Sequence, residues 1–195
     1  MKTLLLSAAF AAAIIAPSAA SAQAIPGAVV AVVDLERVTS QCNACRTAKA
    51  SLQSQVTAEE NREKALLAPL KTEQESIQSA VDALKGKDPD AALQARVKAF
   101  QTKYQQAQES AARGRAQLQA NAAYVQKQVQ DKLGPIYQQV MQRRGANVMV
   151  ELGATLAMAQ NVDATNDVLN ALNTSMPSIA TTAPAAPAPK QPQGR

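Results

Sequence analysis

The strongest constraint on this chain is a pair of long apolar seams in its middle, separated by one sharp break. From Leu93, the residues Val97, Phe100, Tyr104, Ala107, Ala111, Leu118, Ala122, Val125 and Val129 recur at steps of three and four, with one step of seven. Residues so spaced lie along one side of an α-helix, as on the partner surface of a coiled coil. A looser seam precedes it in Leu52, Val56, Leu66, Leu70, Ile77, Val81 and Leu84. Between the two stands Gly86-Lys87-Asp88-Pro89-Asp90, where glycine stops one helix and Asp88-Pro89 supplies a cap and a first-turn proline for the next. Two seams joined by so short a break predict an antiparallel hairpin over residues 47–143, because folding back lets each seam cover the other. Each arm of roughly 40 residues would reach about 60 Å.

Interruptions qualify the arms. Pro69 lies inside the first and Gly134-Pro135 low in the second, so both arms are expected to bend or carry a joint, either as tolerated kinks or as hinges. The second seam thins at Ala107, Ala111 and Gly114, which allow close approach but bury little area. Such a hairpin has no sizeable core of its own.

The flanks read differently. Ala28 to Val33 is a short β-branched run expected as a buried strand, closed by Asp34 as N-cap of a turn over Leu35 to Ser40 with Arg37 toward solvent. After Arg143, Val148 to Leu152 reads as a strand, and Thr155 to Ala159 as a second strand paired with it in a β-hairpin. Asp163 to Leu172 reads as a short helix, with Thr165 placed to cap it, Asp167 in its first turn and Val168, Leu169 and Leu172 facing inward. The expected fold is therefore α+β. A small sheet body is formed by both chain ends, residues 23–46 and 144–173, and the helical hairpin is inserted into it. Three short strands and one helix bury too little to steady such arms, so assembly through the sheet is expected.

The termini bear on compartment. Lys2, an apolar run from Leu4 to Ile15 and the A-x-A step Ala20-Ser21-Ala22 read as a secretory signal peptide over residues 1–22, leaving Gln23 as the mature start. No cysteine stands at that point, and no later run is long enough for a membrane helix. Residues 174–195, with five prolines among alanines, read as a disordered tail, idle or reaching toward a partner or the cell wall.

Composition excludes several function classes. The chain has no histidine and no tryptophan, and Phe100 is its only phenylalanine beyond the signal segment. The usual general base and the commonest metal ligand are thus missing, and no aromatic platform exists for stacking nucleic-acid bases. The formal charge of +5 becomes +4 when Lys2 is removed with the signal (5 − 1), and it is spread rather than clustered. No enzyme, cofactor, metal site or nucleic-acid partner is expected. Cys42-Asn43-Ala44-Cys45 lacks the further ligands of a zinc site and the full sheet of a thioredoxin-like unit. A local disulfide, free thiols at a helix start, a redox couple and a crosslink to another chain stay open for Cys42 and Cys45. Lys71, Lys85, Lys87, Arg96, Lys98 and Lys103 lie toward the hairpin tip as candidate contacts to acidic clients or anionic lipid headgroups. Glu73, Glu75, Asp82, Asp88 and Asp90 are interleaved with them, so a plain solvated surface is the competing reading.

Two blocks carry a family resemblance. Val32-Val33-Asp34-Leu35-Glu36-Arg37-Val38 resembles the opening "V-D-x-x-R-V" of the OmpH/Skp family of periplasmic chaperones. Val148-Met149-Val150, followed by Asp163-Ala164-Thr165-Asn166-Asp167-Val168-Leu169, is similar to that family's closing strands and "D-x-T-x-x-V-[IL]" helix. The resemblance runs from Ala28 to Asn173. It implies a homotrimer whose helical hairpins surround a cavity, and an ATP-independent periplasmic holdase for unfolded outer-membrane β-barrel proteins. The pair Cys42 and Cys45 and the proline-rich tail depart from the family pattern. The competing readings are a structural coiled-coil protein of the envelope, with the tail touching wall or membrane, and a thiol oxidoreductase using Cys42 and Cys45.

Overall fold

The computed structural model describes residues 27–184. Residues 1–26, which hold the expected signal segment, and residues 185–195 lie outside the described part. Strand β1 (Val30–Val33) leads into α1 (Leu35–Gln41), then α2 (Asn43–Ala83), α3 (Ala91–Arg144), β2 (Val148–Glu151), two single-turn 3-10 segments (Leu152–Ala154 and Gln160–Val162) and α4 (Thr165–Ser175). The two long helices pack along each other as the arms of a hairpin. With 41 residues α2 matches the expected arm of about 60 Å, whereas α3, with 54, is longer, about 80 Å at helical rise.

The tip forms where expected but through other residues. Lys85 and Gly86 both take positive φ (49° and 89°), the turn that glycine makes at no steric cost. The cap of α3 is Asp90, not Asp88: its carboxylate accepts from the Leu93 N–H at 2.8 Å. Pro89 thus precedes the cap rather than opening the helix. Pro69 and Pro135 both stand inside helix that continues through them. Each is flanked by packed side chains, Leu70 beside Pro69, and Leu133 and Ile136 beside Pro135, whose burial offsets the lost hydrogen bond.

The two chain ends do meet, as the sequence requires. β1 and β2 pair in parallel, Val30 opposite Val148 through Val33 opposite Glu151. The other side of β1 is taken by the chain entering α4: the Ala164 N–H donates to the Val32 carbonyl at 2.8 Å, with a single bridge at Asp163. The expected strand at Thr155 to Ala159 does not form. A 3-10 turn closed by Thr155, whose N–H and hydroxyl both donate to the Leu152 carbonyl, turns the chain away, and Leu156 ends fully exposed. The sheet therefore has two strands, parallel, rather than a β-hairpin beside a third strand.

Helix α4 begins at Thr165, but its first turn is held by Asp163, which accepts the Thr165 N–H at 2.8 Å. The Thr165 hydroxyl instead accepts the Asp34 N–H at 3.0 Å, tying the end of β1 to the start of α4. Asp34 caps α1 as expected, accepting from the Arg37 N–H at 2.8 Å, while the Arg37 side chain reaches Asn166. Around these ties lies the core: Ala31 and Val33 of β1, Val38 of α1, Val129, Leu133, Ile136 and Val140 of α3, and Val168 and Leu172 of α4. The last turns of α3, assigned from sequence to the hairpin, thus build the body. The tail is also corrected. Met176 is buried, Ile179 packs against the core, and residues 180–183 are hydrogen-bonded to the arms.

Two outcomes follow for stability. Leu172→Ala, at a fully buried site, lowers unfolding free energy by about 2–5 kcal/mol in urea titration, whereas Leu156→Ala leaves an isolated chain within about 0.5 kcal/mol of the parent. The Asp163 carboxyl sits below the usual aspartate range because the Thr165 hydroxyl and N–H both bond to it, with Arg37 and Arg144 nearby. A depressed folded-state value means the stabilisation is complete above the ordinary pKa of about 3.9 and is lost as pH falls further. The urea midpoint should drop on acidification below that value, and Asp163→Asn should remove part of the drop.

Candidate functional site

The arms are joined by alternating apolar and polar layers. In α2 the steps of three and four continue without a gap once Glu59, Glu63 and Glu73 are counted between Val56, Leu66, Leu70 and Ile77. These acids are partly buried; Glu63 and Glu73 bind the other arm directly, and Glu59 acts through Arg62. Glu59 holds Arg62, whose guanidinium donates to the Ser110 hydroxyl at 2.8 Å and the Ser110 carbonyl at 2.9 Å. Glu63 pairs with Arg115 at 2.5 Å, and Glu73 with Lys103 at 3.1 Å. Arg62 holds the Glu59 carboxyl below the ordinary glutamate range. Gly114 faces this layer: a Cβ there would meet Glu59 Oε1 at 1.9 Å, so the glycine makes room for the pair.

The structure separates the six candidate basic residues. Lys103 and Arg96 tie the arms together, Arg96 by donating to the Ser76 hydroxyl at 2.8 Å. Lys71, Lys85, Lys87 and Lys98 form no ion pair among the described residues and stand exposed at separate points near the tip.

At the foot of the hairpin the arms diverge around a cleft of about 610 Å³. Leu35, Leu52, Val125, Val129, Leu133 and Tyr137 form its apolar walls, with Lys49, Gln126 and Gln130 on the rim. Burial, aided by the charge of Glu151, pushes the Tyr137 hydroxyl above its ordinary pKa, so it stays neutral. Cys42 and Cys45 are joined as a disulfide between the end of α1 and the first turn of α2. Cys42 is fully buried and its sulfur accepts the Cys45 N–H at 3.1 Å; Cys45 lines the cleft.

One seam position was misread. Ala122 is exposed, and the buried place on α3 belongs to Asn121, at the regular step of three from Leu118. Its Nδ2 donates to Gln55 Oε1 at 2.7 Å, and its Oδ1 accepts from Gln117 at 2.8 Å. Tyr104, also placed in the seam, is 43% exposed. Spacing alone, without the requirement that seam residues be apolar, would have found Asn121 and the three glutamates.

A small body of paired chain ends carrying a long two-helix projection defines the architectural class: a body with a tentacle, its apolar cleft open at the join. Residues 29–172 match the OmpH-like outer membrane protein family, and the chain belongs to that family. Its fold is also that of an OmpH-like protein from Caulobacter crescentus CB15, provisionally assigned as an outer membrane chaperone, whose crystal structure superposes with a TM-score of 0.68. The match covers 84% of this chain and 93% of that one at 19% identity. No curated protein sequence matches the chain significantly.

The disulfide closes a very short loop, for which the chain-entropy relation gives about 2 kcal/mol. Cys42→Ser/Cys45→Ser should lower thermal stability by that order, read by circular dichroism, while leaving the hairpin helical.

Proposed function

We propose that this chain is an exported, ATP-independent holdase chaperone that shelters unfolded outer-membrane β-barrel proteins in the periplasm. The observation that carries the reading is the apolar cleft at the foot of a hairpin that has no enclosed core. Such a surface offers many weak, adaptable contacts to varied chains. Membership of the OmpH-like family and the chaperone assignment of the Caulobacter protein support it. Export by the segment 1–22 is part of the same proposal.

A homotrimer is the proposed working form. Its support is the body's surface, where Val29, Val30, Val148, Leu156 and Met158 remain exposed around a sheet of only two strands. Covering apolar surface and completing a short sheet both favour association. The four exposed lysines near the tip are proposed as weak contacts to acidic client segments or anionic headgroups. The disulfide is proposed as structural, with Cys42 fully buried beside the core.

The test is dilution of a urea-unfolded outer-membrane β-barrel protein into buffer holding the mature chain. Light scattering should be suppressed at equimolar assembly and client, without nucleotide, and sedimentation should give the mass of three chains. Undiminished aggregation at excess protein would sink the proposal. Stable partition with the cell wall and no client copurification would instead favour a structural envelope protein.

A further inference from the structure

The segment following α4 crosses onto the hairpin as a strap, and what holds it is unusual in kind. Gln128 of α3 donates from Nε2 to the Ala180 carbonyl at 2.8 Å, and its Oε1 accepts the Ala180 N–H at 3.1 Å. That is the pair of bonds a residue of a neighbouring β-strand would make. Gln55 of α2 donates to the Thr181 carbonyl at 3.1 Å, and Asn121 accepts the Ala183 N–H at 2.8 Å. Of these hydrogen bonds only Ser51–Thr181, at 3.0 Å, involves a strap side chain, while Ile179 packs at the strap's start. The hairpin reads this segment almost wholly through its backbone.

The strap's geometry is that of an extended chain. Ile179, Thr181 and Ala183 are partly covered, while Ser178, Ala180, Thr182 and Pro184 are exposed, a period of two. From Gln128 to Asn121 is seven residues of helix, about 10 Å, and the strap spans it from Ala180 to Ala183, three residues at about 3.4 Å each. The reading groups are set in advance: Asn121 is 4% exposed and is bonded to both Gln55 and Gln117, which fixes two of the three amides. The groove belongs to the family-matched part of the chain, residues 29–172, whereas the strap lies beyond it.

We propose that the groove formed by Ser51, Gln55, Asn121 and Gln128 is a backbone-reading site for extended polypeptide, which the chain's own residues 179–183 occupy as a stand-in. Its ligand class is an unfolded segment with small or β-branched side chains at alternate positions and free N–H groups at the points that Ala180 and Ala183 fill. Because the strap is tethered, it competes at an effective concentration in the mM range and keeps the site closed to weak ligands. The assignment of that ligand as an unfolded client rests on the holdase reading; the existence of the site does not.

The experiment uses the full mature chain and a release variant, Ile179→Asp/Ala180→Pro/Ala183→Pro, whose prolines delete both donated N–H groups outside every helix. A second variant with the two prolines alone guards against any loss of packing at Ile179, and circular dichroism and urea midpoints check both. The probe is a fluorescent peptide of residues 178–184, with a scrambled peptide of the same composition and a version carrying proline at the places of Ala180 and Ala183. Anisotropy should show the first two binding the release variants at least about tenfold more tightly than the parent, as expected of displacing a tethered occupant. The proline-bearing peptide should not bind, and Gln128→Leu or Gln55→Leu in the release background should abolish binding. Binding of the native-order peptide alone would overturn the proposal in favour of a dedicated latch, and binding of neither would show that the strap docks only through its tether. Aggregation suppression is measured separately: its failure with peptide binding intact removes the holdase reading and leaves the groove, and the converse removes the groove alone.

Discussion

The structure depends on one closure, the meeting of the two chain ends over the foot of α3. Val38, Val140, Val168 and Leu172 reach zero exposure there, although they come from three helices widely separated in sequence. The Thr165 hydroxyl bound to the Asp34 N–H fixes the same closure from its polar side. Neither end could bury its apolar face alone, because a four-residue strand and an eleven-residue helix are each too small. The clasp holds the feet of both arms together.

Above the foot, a different balance operates. The hairpin alternates small apolar contacts with ion pairs and amide bonds, so each layer contributes little and no layer dominates. Partly exposed pairs of this kind are worth about 1 kcal/mol or less each, but they fix the register of one arm against the other. Glu59, Glu63 and Glu73 serve that purpose from seam positions, and Gly114 makes it sterically possible. A projection built this way keeps its alignment without becoming a packed bundle. It leaves the apolar cleft as the place where an unstructured chain would find greasy surface.

Most of the architecture was legible in the sequence because it rests on periodicity. The two seams, the break at Gly86, the paired ends and the α4 helix follow from spacing and turn chemistry, and the OmpH-like family matches over nearly the same residues. What escaped was decided by tertiary partners. Thr155 to Ala159 has strand-like composition, but the turn closed by Thr155 points it away from the sheet. Thr165 has the chemistry of a cap, yet the Asp34 N–H claims its hydroxyl. The proline-rich tail reads as disordered by composition, but burial of Met176, packing of Ile179 and side-chain groups on two helices, invisible to a local window, hold its first residues. Prolines 69 and 135 stand within continuous helix beside buried Leu70, Leu133 and Ile136.

The parallel pairing of β1 with β2 has a temporal meaning. Val30 is made 118 residues before its partner Val148, and α4 later still. A nascent chain therefore carries β1 and α1 unpartnered until almost its whole length has emerged. Closing so long a separation as loose coil would be entropically costly, but zipping the arms first brings their feet side by side. The hairpin, closed by the most local turn in the molecule, is the element that shortens that separation.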